Sequence, residues 1–61
     1  MKMKLNIKQI RLQAMLTQEE FAKEFGVQVC AVRNWESGKY TPALKNQRKI
    51  VEFCKHNNIN Y

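Results

Sequence analysis

The sequence predicts an all-α fold, a small domain of four helices, and three observations predict it. Apolar residues recur at i, i+3, i+4 and i+7, the period of a helix with one buried face, rather than alternating as in a half-buried strand. Gly26, Gly38 and Pro42 are the only glycine or proline residues, so chain breaks are few and fall between the periodic stretches. Thr17-Gln18-Glu19-Glu20 reads as a capping box, the signature of a helix start. At 61 residues the chain has room for one domain, residues 1–61, and for a core of marginal size.

The first helix is expected from an Asn6 N-cap to about Ala14, with Ile7, Ile10, Arg11 and Ala14 on its inward stripe. The second should run from Gln18 to Phe25. Thr17 and Glu20 can satisfy each other's backbone N–H groups, and Leu16 and Phe21 stand where a hydrophobic staple would. Phe21, Ala22 and Phe25 face inward, and Gly26 ends the helix because glycine enters the left-handed region cheaply. A third helix follows a very short turn, from about Val29 to Ser37, with Val32, Trp35 and Glu36 on its buried stripe and Gly38 at its end. Lys39 to Pro42 reads as a loop. The fourth helix begins near Pro42 or Leu44 and continues to about Lys55, with Leu44, Gln47, Ile50, Val51 and Cys54 along one side. The polar tail, residues 56–61, is expected to fray.

Lys and Arg outnumber Asp and Glu by 11 to 5, a formal charge of +6. So large a surplus on so short a chain predicts an acidic partner, nucleic acid or an anionic membrane. No apolar run approaches the ~20 residues of a membrane span. The basic start Met1-Lys2-Met3-Lys4 is not followed by the apolar stretch of a signal peptide, so a cytoplasmic protein is expected. Cys30 and Cys54 lack metal-ligand spacing and read as two reduced thiols. With one His, no Asp, no metal cluster and no glycine-rich phosphate loop, the chain reads as neither an enzyme nor a cofactor binder.

Two short helices joined by a turn of three or four residues containing glycine make a helix-turn-helix. The segment from Thr17 to Gly38 meets its physical demands. Ala22 is small where the helices must approach closely, Gly26 supplies the turn, and Val27, Val32 and Trp35 are the apolar residues that set the crossing. The stretch Leu16 to Lys39, L-T-Q-E-E-F-A-K-E-F-G-V-x-x-x-x-V-x-x-W-E-x-G-K, resembles the Cro/repressor (Xre-type) family of bacterial and phage transcriptional regulators. The likeness extends roughly from Ile7 to Cys54. It implies a compact lambda-repressor-like bundle of four or five helices with the third in the major groove of double-stranded DNA.

On that resemblance, Gln28, Val29, Cys30, Arg33 and Asn34 point out of the bundle and are candidates to read bases. Arg33 can pair bidentately with guanine O6 and N7, Asn34 or Gln28 with adenine, and Val29 can touch a thymine methyl. Cys30 is the weakest member, since a thiol is a poor hydrogen-bonding group. Gln18, at the start of the second helix, is a candidate phosphate contact, as are Lys39, Tyr40, Thr41 and Lys45 after the third. The plain alternative for these positions is solvated surface, which is also the reading for Lys49 and Lys55. Lys2, Lys4 and Lys8 add positive charge near the first helix.

Arg11 and Glu36 are charges on apolar stripes. An unpaired buried charge costs several kcal/mol, so the economical solution is that they pair with each other. The resemblance supports this, since an Arg in the first helix commonly bridges a Glu at this place. Phe21, Phe25 and Trp35 could form a base-stacking platform, but at helical spacing they read as core. Phe53 is open as an exposed dimer contact, and His56 has no evident role.

Three features depart from the family pattern. Met15 stands where the turn before Leu16 often carries glycine; a left-handed residue there would cost about 1–2 kcal/mol, so either the helix runs further or the turn differs. Gln28 is a poor N-cap for the third helix. No separate dimerisation or effector domain is evident, so the expected state is a weak homodimer formed on DNA, with the fourth helix and the tail as its surface. The function expected is a sequence-specific regulator of the phage- or mobile-element repressor or Cro-like type. The alternative is an antitoxin or adaptor whose main partner is another protein, for which Phe53, Ile59 and Tyr61 would form an apolar patch. A membrane-surface role ranks third, because no helix has a basic face opposite a wide apolar one free of core duties.

Overall fold

The computed structural model describes residues 5–61, and Lys2 and Lys4 lie outside them. Four helices follow in order: α1 Ile7–Gln13, α2 Gln18–Phe25, α3 Val29–Ser37 and α4 Leu44–His56. No strand occurs among the described residues.

The starts follow the chemistry of the caps. Asn6 accepts from the Gln9 N–H at 3.2 Å. Thr17 and Glu20 complete a reciprocal box: the Thr17 N–H donates to Glu20 Oε1 at 2.8 Å and the Glu20 N–H to Thr17 Oγ1 at 3.1 Å. α3 and α4 start at Gln28 and Ala43, where no side chain caps the helix.

The four ends share one device. Two or three residues past each helix's end, a backbone N–H reaches back five residues: Leu16 to Arg11 O at 3.2 Å, Val27 to Ala22 O at 3.0 Å, Lys39 to Asn34 O at 3.0 Å and Ile59 to Cys54 O at 2.9 Å. This is the Schellman arrangement, and it requires a left-handed residue just before the donor. Those residues are Met15 (φ 60°), Gly26 (φ 67°), Gly38 (φ 82°) and Asn58 (φ 53°). A Cβ built on either glycine meets nothing within 4 Å, so conformation, not space, is what each glycine supplies. The expectation for Met15 is corrected: α1 does not run further but stops at Gln13, and Met15 itself takes the left-handed state that glycine favours.

The apolar residue after the turn then folds inward. Leu16 and Val27 pack against the core and Ile59 belongs to it. The core comprises Ile7, Ile10, Phe21, Ala22, Phe25, Val32, Ile50, Cys54 and Ile59. Burial pushes the Cys54 thiol above its ordinary pKa, which keeps it protonated. The radius of gyration, 10.4 Å, equals the roughly 10.5 Å expected of a compact chain of this length.

Two further expectations are corrected. The tail does not fray. The Schellman turn at Asn58 carries Ile59 into the core, and the Gln13 side chain then clasps Asn60, donating to its carbonyl at 3.1 Å and accepting from its N–H at 3.3 Å. Phe53 is not an exposed contact. It is half-buried, and its ring stands edge-on to Phe25 (centroids 5.3 Å apart) and to Phe21 (6.4 Å). Phe21, Phe25 and Trp35 pack in or against the core, as their helical spacing predicts.

Candidate nucleic-acid interface

α2 and α3 are joined by Gly26, Val27 and Gln28, and the pair is held from within by Ala22 and Val32, both buried. That packing decides which side of α3 is left outside. Val29, Val32 and Glu36 form an inward stripe at i, i+3 and i+7. Cys30, Arg33, Asn34 and Ser37, at i, i+3, i+4 and i+7, form the opposite one, on which Cys30, Arg33 and Ser37 are exposed and Asn34 is half-buried. Gln28 at the N-cap is exposed as well. Val29 is at the edge: half-buried, it packs against the core and turns only part of its surface outward.

Beneath this face lies the ion pair. Arg11 Nε donates to Glu36 Oε2 at 2.6 Å and its Nη2 to Oε1 at 3.2 Å, while Nη1 donates to the Leu16 carbonyl at 3.0 Å. The two side chains are 12% and 8% exposed, so the pair is largely shielded. One guanidinium thereby joins three places: its own α1, the turn after it and the last turn of α3. The hydrogen bond to Glu36 raises the Arg11 pKa above its ordinary value. For Glu36 burial acts upward, but the hydrogen bonds from Arg11 and Gln18 and the charges of Arg11 and Lys8 outweigh it, leaving the carboxyl below its ordinary value.

Gln18 is more occupied than its sequence position suggests. Its Nε2 donates to Glu36 Oε1 at 3.1 Å, and its Oε1 accepts from Arg33 Nε at 3.5 Å. The side-chain amide is thus engaged within the protein, and the Gln18 and Glu19 N–H groups of the first turn of α2 lie outside the Thr17–Glu20 box. The sequence signal for this network was weak: a Gln at the first position of one helix and an Arg fifteen residues later share no local spacing.

The other candidate phosphate contacts gather beyond α3. Lys39, Tyr40 and Thr41 are exposed in the loop, with the Lys39 ammonium 5.7 Å from the centre of the Tyr40 ring. The carbonyl of Asn34 holds this loop, accepting from the Lys39 and Tyr40 N–H groups and from the Ser37 hydroxyl. Lys45 is exposed in the first turn of α4, a helix start that has no acidic residue and no side-chain cap. Ser37 was not singled out from sequence. It completes the exposed stripe of α3, but its hydroxyl is committed to the Asn34 carbonyl.

Among the described residues, no group of three or more His, Cys, Asp or Glu could hold a metal ion, and no helix is long and apolar enough to cross a membrane.

A second helix packed across a first, its outer face polar and its flanks basic, is the architecture of a DNA-binding helix-turn-helix domain. Comparison with known proteins agrees. The helix-turn-helix family model matches residues 7–55. An uncharacterized HTH-type transcriptional regulator of Archaeoglobus fulgidus is 44% identical over 49 residues, covering 80% of this chain and 69% of the relative. Another, from Methanocaldococcus jannaschii, is 43% identical over 51 residues, covering 84% of this chain and 77% of the relative. No solved structure matches the chain significantly. The chain belongs to the helix-turn-helix family, of the Cro/repressor (Xre) type.

Proposed function

We propose that this protein is a sequence-specific transcriptional regulator that binds double-stranded DNA by laying α3 in the major groove. The observation that carries the reading is the division of α3. One stripe is consumed by the core and the ion pair, and the other presents Gln28, Cys30, Arg33 and Asn34, with the edge of Val29, to the outside. The charge of +6 and the names of the two relatives, both HTH-type transcriptional regulators, support the same reading. Arg33 pairs with guanine, Asn34 or Gln28 with adenine, and the outer edge of Val29 meets a thymine methyl. The backbone N–H of Gln18, together with Lys39, Tyr40, Thr41 and Lys45, holds the flanking phosphates.

The repressor or Cro-like type is the mode of regulation proposed, since occupying an operator is by itself enough to block it. A single copy of so small a domain buries a modest DNA interface, so two copies on half-sites about one helical turn apart are proposed for tight binding. With Phe53 and Ile59 turned to the core, the surface left for that contact is the outer side of α4, where Leu44 is 62% exposed and Val51 half-buried. The same change weakens the antitoxin or adaptor alternative, whose apolar patch loses two of its three members.

Selection from a random duplex library tests the reading. The expected result is an enriched, roughly palindromic site with a conserved guanine. Recovery of no enriched sequence would contradict sequence-specific recognition.

A further inference from the structure

The Gln18 side chain sits between two groups that leave it no choice of orientation. A carboxylate only accepts hydrogen bonds, so the amide must turn its NH2 end to Glu36, where Nε2 lies 3.1 Å from Oε1. That choice aims Gln18 Oε1 the other way, at the Nε of Arg33, 3.5 Å off. A guanidinium only donates, so the acceptor end is the correct one there. The reversed amide would set oxygen against the carboxylate and NH2 against the guanidinium, and would satisfy neither neighbour. Glu36 itself is held in place by two nitrogens of Arg11, whose third nitrogen is tied to the backbone at Leu16.

We propose that Gln18 is a positioning residue for Arg33, and that the Arg11–Glu36 pair sets the base-reading arginine through it. The contact to Arg33 is long and the arginine is exposed, so it biases the side chain rather than locking it. The consequence is geometric. With Nε turned inward to Gln18, the two terminal Nη groups form the outward fork, and Arg33 meets guanine O6 and N7 end-on. This inference rests on the DNA-reading role of α3 and adds to it how one side chain is aimed.

Two measurements test it. In the free protein, the Arg33 Nε–H resonance should be a protected, distinct signal, and Gln18→Ala should shift it and accelerate its exchange. On duplexes differing only at Arg33's base pair, Gln18→Ala should lower the preference for guanine about fivefold or more. In an Arg33→Ala background, Gln18→Ala should produce no further loss of that preference. The exchange Gln18→Glu with Glu36→Gln keeps one donor–acceptor path from Arg11 to Arg33 while giving up one of the two Arg11 bonds, and should restore part of the preference that Gln18→Ala loses. Circular dichroism should confirm that each variant is folded. An unchanged Arg33 signal in Gln18→Ala would overturn the inference. So would an equal weakening on all duplexes with base preference intact, which marks a phosphate anchor only. If the wild type binds no duplex at all, the DNA-binding role fails, and the Arg33 resonance alone decides whether Gln18 holds it.

Discussion

Arg11 and Glu36 form the most consequential pair of residues in the chain. Breaking a shielded pair leaves a charge without its partner, so Arg11→Ala and Glu36→Ala should each cost about 3 kcal/mol. In a double-mutant cycle by urea denaturation, the two losses should overlap by at least about 1 kcal/mol; additive losses would mean the pair does not act as a unit. The pair also sets an acid limit. The Glu36 pKa is depressed in the folded state, so its contribution is complete above about 4.3, the ordinary glutamate value, and is lost as pH falls through the lower folded value. Arg11 stays charged throughout that window and adds no slope there. Glu36→Gln should therefore flatten the stability profile below about pH 4.3. Met15 makes the opposite prediction. It is 89% exposed, so its side chain loses little by removal, yet its backbone is left-handed at φ 60°. Met15→Gly should stabilise by about 1 kcal/mol, seen as a higher urea midpoint, whereas Met15→Ala should not.

At the scale of elements, the helices were legible because their boundaries are chemical. The Asn6 cap, the Thr17–Glu20 box and the two glycines each mark an end by a local bond that the sequence displays. The Arg11–Glu36 pair was legible for a different reason: two charges on apolar stripes admit few solutions. What escaped was the closure of the chain. Residues 56–61 are polar apart from Ile59 and Tyr61, and a single Ile carries no period. The signal present was Asn58, a residue that tolerates the left-handed state, standing just before an apolar one. Phe53 is left open by the sequence because the width of the buried face on α4 depends on how far Phe25 reaches, which no spacing within α4 reports. Ile59→Ala should accordingly cost about 2–3 kcal/mol, while Tyr61→Ala, at an exposed position, should cost little. Equal and small losses in thermal denaturation would mean that the tail is not docked. Within α3 the two classes of contact should separate by readout. Arg33→Ala should cost about 1–3 kcal/mol of binding and relax one base preference, and Lys39→Ala, in the loop beyond, should weaken all duplexes alike.

For the molecule as a whole, the ion pair, the Schellman turns and the core all serve to hold one helix at a fixed angle on a basic body. With so few residues, nearly every inward position is needed for that scaffold, and the outer face of α3 is the surface proposed for recognition. Binding of such a body to DNA releases counterions in proportion to the phosphates its Lys and Arg residues neutralise. The most direct measurement is therefore the affinity for a short random duplex across a salt series, followed by fluorescence anisotropy. A log–log slope of roughly −3 to −5 per bound copy is predicted. Absence of salt-sensitive binding at low ionic strength would contradict the assignment of α3 to DNA.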